Sequence, residues 1–358
     1  MAEYSILPAP YTVGPDAYEK VAAYCLRRGR TAVVIGGEKA MAAARPKLDK
    51  AIAGTALTIL GYFVYGRECT RENAQALARI PAVQAADMLL LVGGGKAVDT
   101  GKLVAIALEK PFFTLPTIAS NCAAASAVAI VYHQDGSFDN FTFLEEPASH
   151  VFIDTDIIAR APRQYLWAGI GDTYAKYYEV DISARGEQLE HYMAMGVTLS
   201  RMCMETLVQH GRQALADNDA GQASYALEQA ALAIIITTGY VSMLVSKNKS
   251  MDYNGGVAHA FFYGLCNLPR FDETHLHGVV VGFGVLVLLM MDGRPEECER
   301  LKAFNRTVGL PTKLSEIGVT MEQVAACAEG MTHDEDLIHY PYRVTAEMII
   351  NATRQLDV

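Results

Sequence analysis

A glycine-rich turn at residues 93–95, followed directly by Lys96, offers the sharpest local chemistry in the sequence. It lies between a short apolar run and a helical pattern. Glycines let the backbone come close to a ligand, and a helix N-terminus supplies free N–H groups and a partial positive charge. The segment predicts a cradle for a pyrophosphate, although a tight turn without a ligand has the same sequence pattern. It matches neither the P-loop nor the GxGxxG pattern.

A second set of candidate residues, Asp172, His259 and His277, lies in the second half of the chain, with spacings of 87 and 18 residues. No local metal-binding motif joins them. One carboxylate and two imidazoles would suit Zn²⁺ or Fe²⁺ and leave a position open for substrate. From the residues alone, the alternative is that Asp172 satisfies a helix dipole and that both histidines are hydrogen-bonded core residues.

Small residues dominate positions 115–132, directly after a predicted strand. Thr117, Ser120 and Ser126 supply hydroxyl groups there, and the small side chains leave room for a planar ring or a ribose. A closely packed turn is the alternative interpretation of the same run.

The first part of the chain alternates apolar, β-branched runs with helical patterns, which predicts a parallel sheet covered by helices. The predicted strands are Thr31–Ile35, Ala56–Tyr65, Met88–Val92 and Pro111–Leu115. After Pro162, a residue suited to a helix start, long helical patterns take over. We therefore expect an α/β domain over residues 1–160 and an all-α domain over residues 161–358.

Composition excludes several classes of protein. The 358 residues are 51% hydrophobic and 20% charged, which excludes a disordered or fibrous chain. The net charge is −10 and no basic stripe is present, which argues against a nucleic-acid partner. The seven cysteines form no CxxC pair, which is typical of a reducing compartment. No signal peptide is visible, and the apolar runs at 230–245 and 278–291 are predicted to be core helices, so we expect a soluble cytoplasmic protein without a membrane partner.

Several segments, in this order, resemble the glycerol dehydrogenase branch of the iron-containing (group III) alcohol dehydrogenases. The matching segments are YGRECTR at 65–71, GGGKAVDTGK at 93–102, PTIAS at 116–120, GIGDTYAKYYE at 169–179, AHAFFYG at 258–264 and HG at 277–278. The similarity extends over most of the chain. It implies the dehydroquinate synthase-like fold, with an N-terminal α/β dinucleotide-binding domain and a C-terminal helical domain.

The resemblance also implies an activity, namely metal-dependent, NAD(P)-linked interconversion of a small alcohol, either a polyol or a hydroxy acid, and its carbonyl. It assigns Asp172, His259 and His277 as the metal ligands, whereas His275 matches no ligand. The residues that it assigns to the cofactor are Gly94, Gly95 and Lys96 at the pyrophosphate, Asp99 on the nicotinamide side, and Thr117, Ser120, Ser126, Val128 and Tyr132 along the groove. Family members are commonly homo-oligomers, from dimers to octamers.

This sequence departs from the family pattern near the expected substrate. Glycerol dehydrogenases usually continue PTIAS with Thr-Asp, whereas this chain has Asn121 and Cys122. Losing that carboxylate removes an acceptor for a polyol and lowers the repulsion of an anionic substrate. A His and an Asn of the family are replaced by Phe262 and Tyr263, and a Glu-Lys pair by the valines at 279–280. We therefore expect Cys122 to line a more apolar substrate pocket, with a hydroxy acid or its keto acid as a candidate substrate.

The choice of cofactor rests on the residues after the first predicted strand. Glu38 would bond a ribose 2′-hydroxyl and favour NAD, whereas Gly37 together with Lys39 would admit the 2′-phosphate of NADP. We favour NAD, and Zn²⁺ over Fe²⁺. The alternatives are a non-catalytic dinucleotide-binding homologue, an enzyme similar to dehydroquinate synthase or glycerol-1-phosphate dehydrogenase, and an unrelated protein in which the glycine turn binds ATP.

Overall fold

The computed structural model describes residues 7–246, 251–332 and 337–356. Contacts divide the chain into two compact units. One comprises Met1–Pro162 with Ala216–Glu228, and the other Arg163–Leu215 with Gln229–Val358. The boundary between the two units therefore falls after Pro162, and the later segment Ala216–Glu228 belongs to the first unit.

A six-stranded parallel sheet forms the centre of the first unit, and the sequence predicted a parallel sheet with four of these strands. The strands are β1 (Tyr11–Gly14), β2 (Thr31–Gly36), β3 (Thr58–Val64), β4 (Met88–Gly93), β5 (Phe112–Pro116) and β8 (Val151–Asp154). Their spatial order is β1-β8-β5-β4-β2-β3. Strands β4 and β5 are buried along their whole length, which explains why they have no alternating polar positions.

Two features of the first unit were not predicted. Strand β1 pairs with β8, more than 130 residues later in the chain. The small-residue run leads into an antiparallel hairpin of β6 (Val128–Tyr132) and β7 (Phe138–Phe143). The hairpin forms a two-stranded sheet separate from the parallel one.

Short and medium helices connect the parallel strands. They are α1 (Val21–Cys25), α2 (Glu38–Ile52), α3 (Arg71–Ala78), α4 (Pro81–Ala85), α5 (Gly95–Leu108) and α6 (Thr155–Ala159). Helix α3 begins where Thr70 accepts a hydrogen bond from the backbone N–H of Asn73, which is the N-cap that the sequence indicated. The core between helices and sheet is built from apolar side chains such as Val34, Leu90 and Phe152.

From Arg163 onward the described chain is helical, as predicted. The helices are α7 (Arg163–Ser183), α8 (His191–Asp219), α9 (Tyr225–Leu232), α10 (Thr238–Leu244), α11 (Val257–Leu265), α12 (Phe271–Thr274), α13 (His277–Met291), α14 (Pro295–Val308), α15 (Met321–Cys327) and α16 (Ala346–Leu356). A π-helical turn, Ala233–Thr237, joins α9 to α10. Helix α13 is apolar on all sides and buried over most of its length, as a central core helix must be.

Among the described residues, one helical run, Tyr225–Leu244, has the length and apolar composition of a membrane span. Within its apolar window, 67% of the residues are buried inside the protein. A buried core helix meets the same criteria of length and composition, and this burial agrees with the core helix predicted for residues 230–245.

Candidate functional site

Asp172, His259 and His277 lie together in the helical unit, although 105 residues separate the first from the last. One carboxylate oxygen and one ring nitrogen from each histidine all lie within 4.8 Å of one another. The Asp172 Oδ1 atom is 3.5 Å from Nε2 of His259 and 3.4 Å from Nε2 of His277. Three atoms that could bind a metal therefore face one small volume.

Two glycines let α7 and α13 approach closely enough to form this cluster. A Cβ on Gly171 would lie 2.1 Å from the carbonyl oxygen of Gly278, and a Cβ on Gly278 would lie 2.1 Å from that of Ala168. Neither position has room for a side chain, so the two helices touch through their backbones. Asp172 follows one glycine and His277 precedes the other, which explains why their side chains meet.

Helix α7 carries three buried charged residues on one face. Asp172, Lys176 and Glu179 are spaced i, i+4 and i+7, so they lie one above another. The Lys176 ammonium donates to the backbone and side-chain carbonyls of Asn254, in the segment that leads into α11. Lys176 thus fixes the chain just before α11, the helix that carries His259.

His259 is held on α11 by Glu179, a residue that sequence reasoning did not assign. One carboxylate oxygen of Glu179 lies 2.6 Å from Nδ1 of His259, and the other accepts a hydrogen bond of 3.0 Å from the backbone N–H of the same residue. Glu179 is fully buried. The i, i+7 spacing of Asp172 and Glu179 on a helix was the signal that could have revealed it.

His277 is held differently, at the first residue of α13. Its ring meets Phe262 edge-to-face at a centroid distance of 4.4 Å, and the Tyr263 ring lies 6.1 Å away. The side chain keeps 38% of its surface exposed, against 12% for His259. The aromatic pair that replaces the family's His and Asn therefore packs against the more exposed of the two imidazoles.

The carboxylates of Asp172 and Glu179 favour positive charge in the cluster. Burial acts to raise the pKa of the Asp172 carboxyl, but hydrogen bonds to both histidines outweigh it and hold that pKa below its ordinary value. Burial likewise acts to lower the pKa of His259, but the carboxylates of Glu179 and Asp172 outweigh it and raise it to about 10. The carboxylates of Glu179 and Asp172 therefore favour positive charge beside His259, where a metal would compete with a proton for Nε2.

The donor set fits a tetrahedral divalent metal. Zinc bonds to imidazole nitrogen and carboxylate oxygen measure about 2.0–2.1 Å, which places neighbouring ligand atoms about 3.3–3.4 Å apart. The two separations from Asp172 Oδ1, 3.5 and 3.4 Å, are close to that value. One carboxylate and two imidazoles would leave a fourth position for substrate.

In the first unit, the glycine turn joins β4 to α5 as predicted. Gly93 has a φ of 143°, a conformation that side chains rarely adopt, and Gly94 is the N-cap of α5. Gly95 begins that helix, and Gly37 occupies the equivalent position before α2. Backbone N–H groups at both helix starts follow the carboxyl ends of neighbouring strands, which is where open α/β sheets bind ligands.

Lys96, expected near a pyrophosphate, forms an ion pair with Glu68 in this structure. Its ammonium also lies 5.3 Å from the centre of the Tyr132 ring. Glu68 belongs to the YGRECTR segment, and sequence reasoning gave it no role. Lys96 and Tyr132 are thus brought together, and both keep part of their surface exposed.

Asp99 belongs to a buried network with Lys102. One carboxylate oxygen accepts from the Lys102 ammonium at 2.9 Å, and the other accepts from the backbone N–H of Ile130 at 3.2 Å. Lys102 also donates to the carbonyl of Val128 at 2.6 Å and lies 3.4 Å from the Ser126 hydroxyl. Asp99, Ser126 and Val128 therefore meet around an internal lysine that anchors the hairpin to α5.

The remaining predicted residues lie in the segment after β5. The backbone N–H of Thr117 bonds to the carbonyl of Gly93, which ties this segment to the glycine turn. Ser120 and Cys122 are partly exposed, whereas Thr117 is buried. The carbonyl of Cys122 accepts from the N–H groups of Ala125 and Ser126, so the segment is an ordered turn.

Comparison with known proteins identifies the family. The profile described as "Iron-containing alcohol dehydrogenase" matches residues 8–154. A glycerol dehydrogenase from Thermotoga maritima is 32% identical over 82% of this chain and 80% of its own. Hydroxycarboxylate dehydrogenase A from Escherichia coli is 30% identical over 91% of this chain and 89% of its own.

Solved structures agree. The glycerol dehydrogenase from Schizosaccharomyces pombe superposes with a TM-score of 0.87 and 25% identity, covering 99% of this chain and 91% of that one. The shared fold, the sequence similarity over most of the chain and the cluster of a carboxylate with two imidazoles all indicate the same family. This chain belongs to the iron-containing alcohol dehydrogenase family and is a metal-dependent oxidoreductase of small alcohols.

Proposed function

We propose that this protein is an NAD-linked dehydrogenase that uses Zn²⁺ held by Asp172, His259 and His277. The observation that carries the proposal is the meeting of these three side chains, with their ligand atoms all within 4.8 Å. Zinc suits the mixed nitrogen and oxygen donors, and Fe²⁺ is the competing metal. The physiological compartment that we propose is the cytoplasm.

A bound divalent metal would polarise the alcohol oxygen as a Lewis acid and lower its pKa. The protein's own contribution is to fix the ligands before substrate arrives. Asp172 supplies a negative charge on the face of α7 that meets α13. The ring of Phe262 packs edge-to-face against His277, and the ring of Tyr263 lies near the same imidazole.

The cofactor proposal rests on the first unit. NAD would accept the hydride, and its pyrophosphate would bind the backbone N–H groups at Gly94 and Gly95, with Lys96 beside them. Glu38, the exposed first residue of α2, would accept a hydrogen bond from a ribose hydroxyl and so favour NAD over NADP. Thr117, Ser120 and Tyr132 would line the groove, while Asp99, Ser126 and Val128 would support it through Lys102.

The substrate that we propose is a small hydroxy acid and its keto acid, preferred over glycerol. Cys122 stands where glycerol dehydrogenases carry an aspartate, so one negative charge that would repel a carboxylate is missing. The relative named hydroxycarboxylate dehydrogenase A supports this class of substrate.

Metal analysis of the purified protein, followed by turnover at 340 nm, tests the proposal. NAD and NADP are each paired with glycerol, diols, hydroxy acids and keto acids, before and after chelation. We expect turnover that disappears on chelation and returns with Zn²⁺. Bound metal and NAD without turnover on any substrate would support the non-catalytic alternative.

The Cys122→Asp variant tests the substrate class. Restoring the aspartate should raise kcat/KM for glycerol relative to that for hydroxy acids, by about 10-fold for one buried charge–dipole contact. Cys122→Ser is the matched control, because it changes polarity without adding charge. An unchanged ratio in the aspartate variant, or a wild-type preference for glycerol, would contradict the proposed substrate.

We also propose a homo-oligomer. Helix α8 exposes several large apolar side chains on its surface, namely Met195, Met202 and Val208. Single exposed apolar residues are ordinary, but Met195 and Met202 are seven residues apart and share one face of the helix, and this exposed pair suits burial against a second copy. Light scattering coupled to size-exclusion chromatography measures the assembly, and a monomer at micromolar concentration would contradict it.

A further inference from the structure

Glu179 makes two hydrogen bonds to one residue of another helix. Its two carboxylate oxygens bind the ring Nδ1 and the backbone N–H of His259 at 2.6 and 3.0 Å. His259 is the third residue of α11, after the N-cap Gly256. An N-cap side chain normally accepts from this N–H, and glycine has none, so the carboxylate from α7 does so instead.

The bond to the ring decides which nitrogen carries the proton. A carboxylate accepts hydrogen bonds and cannot donate them, so Nδ1 of His259 must be the N–H donor. In the neutral ring, Nε2 is then left with its lone pair. That atom faces Asp172 Oδ1 at 3.5 Å, on the side where the ligand atoms meet. The same contact therefore fixes the ring's tautomer and its orientation.

The charges around His259 also favour a cation at its Nε2. Glu179 is fully buried and Asp172 nearly so, and the Lys176 ammonium between them on α7 offsets one of their two negative charges. The net negative charge that remains would be offset by a cation beside the two histidines. A carboxylate at the N-terminus of a nine-residue helix is also favoured by the helix dipole.

We infer that Glu179 is a positioning residue for the metal-binding imidazole of His259, and that it sets the metal affinity of the site without itself binding metal. This inference rests on the proposed function, since it assumes that His259 Nε2 is a metal ligand. Groups that orient metal ligands in this way typically change metal affinity by about 10–100-fold when removed.

Glu179→Gln is the main test, because glutamine keeps the size but has one acceptor oxygen for two donors. The full-length metal-free protein is titrated with Zn²⁺ in competition with a chromophoric chelator, and with Co²⁺ to record its absorption bands. We expect Zn²⁺ binding about 10–100-fold weaker than in the wild type and altered Co²⁺ bands. Glu179→Asp, which keeps both oxygens, should restore part of the affinity.

Glu297→Gln is the matched control. This carboxylate accepts a hydrogen bond of 2.7 Å from the hydroxyl of Tyr178, the residue next to Glu179 on α7, and it touches none of the three ligands. Its loss should leave Zn²⁺ affinity within about 2-fold of the wild type while perturbing the same helix. Unfolding of each metal-free variant, followed by circular dichroism, shows that the compared proteins are folded.

Gly256→Ala keeps the inference testable if the glutamine variant does not fold. A Cβ on Gly256 would lie 3.0 Å from Cγ and 3.2 Å from Oε1 of Glu179, so alanine would shift the carboxylate without removing its charge. We expect weaker Zn²⁺ binding than in the wild type, by a smaller factor than for Glu179→Gln.

The outcomes separate the two ideas. If His259→Ala and His277→Ala lose Zn²⁺ but Glu179→Gln and Gly256→Ala bind it as tightly as the wild type, the positioning role is overturned and the metal site stands. If the histidine variants bind Zn²⁺ as tightly as the wild type, the proposed metal site is overturned together with the inference.

Discussion

Two histidines with little exposed surface, one in each compact unit, have opposite acid–base properties. His150 is 1% exposed, lies between the rings of Tyr24 and Phe152, and bonds through Nε2 to the Thr12 hydroxyl at 2.8 Å. Burial lowers its pKa to about 4. Burial acts on His259 in the same direction, but two carboxylates outweigh it and raise that pKa to about 10.

The comparison shows that burial by itself does not make a histidine functional. An imidazole beside a hydroxyl and aromatic rings stays neutral and acts as a packing group. An imidazole between two buried carboxylates lies in a site that attracts cations, whether a proton or a metal. Its partners, rather than its depth, distinguish the candidate site from the core.

The largest expected difference between the two histidines is in turnover. His259→Gln should lower kcat/KM by about 10³-fold or more, because a Lewis acid supplies several kcal/mol of transition-state stabilisation. His150→Gln should keep kcat/KM within about 2-fold of the wild type, since its role is packing. Turnover at 340 nm and metal content measure both effects. Near-normal turnover in a metal-free His259→Gln protein would contradict the assignment.

From sequence alone, nothing local separates these histidines, since apolar residues follow both. Asp172, His259 and His277 were brought together by resemblance to a family, because their spacing matches no local motif. Glu179 was missed for a related reason. Its i, i+7 spacing from Asp172 places it on the same helix face, but its partner His259 lies 80 residues later and is identified by the packing of α7 against α11.

The fold was more predictable than the site's supporting contacts. Apolar runs and glycine turns predicted three of the four inner strands, β2, β4 and β5, since parallel strands buried on both faces have few polar residues. The fourth inner strand, β8, was not predicted. The edge strand β1 was missed because four residues, Tyr11–Gly14, carry too little pattern. Strand order depends on distant pairings, such as that of β1 with β8, which no local signal encodes.

A substitution that separates α7 from α13 should affect stability and metal binding, by less than the loss of turnover expected for His259→Gln. Gly278→Ala would place a Cβ 2.1 Å from the Ala168 carbonyl, and backbone cannot move aside cheaply. Overpacking of this kind should lower the free energy of unfolding by about 2–3 kcal/mol and weaken Zn²⁺ binding as Asp172 and His277 move apart. Guanidinium unfolding and zinc titration measure the two effects.

Gly211→Ala is the control for that prediction, since Gly211 is also inside a helix of the same unit. A Cβ there would lie 3.6 Å from Ile170, an ordinary contact distance. Alanine should therefore raise the free energy of unfolding by up to about 1 kcal/mol. Equal destabilisation by both alanines would show that the close approach of α7 and α13 is not what the cluster depends on.

The two histidines should also give opposite pH dependence in the metal-free protein. His150 has a folded pKa below its unfolded value of 6.5, so its contribution to stability is present above pH 6.5 and is lost as the pH falls towards 4. His259 has a folded pKa above 6.5, so its contribution is present below pH 6.5 and is lost as the pH rises towards 10.

Each change should be on the order of 1 kcal/mol or more, since one unit of pKa shift corresponds to about 1.4 kcal/mol. The free energy of unfolding of the chelated protein, measured between pH 4 and 10, shows both changes. His150→Gln should remove the loss of stability below pH 6.5 (the acid limb), and His259→Gln the loss above pH 6.5 (the alkaline limb). Retention of both limbs in both variants would assign the pH dependence to other groups.

The smallest expected effect comes from giving His150 a carboxylate partner like those of His259. Thr12→Asp places a carboxylate where the Thr12 hydroxyl now lies 2.8 Å from Nε2 of His150. The pKa of His150 should rise, so that the loss of stability below pH 6.5 shrinks by about 0.5–1 kcal/mol. Thr12→Val, which removes one hydrogen bond, should cost about 1 kcal/mol at neutral pH and leave the acid limb in place. If the aspartate variant keeps the wild-type acid limb, burial rather than the partner determines the charge of a histidine in this protein, and the contrast with His259 needs another cause.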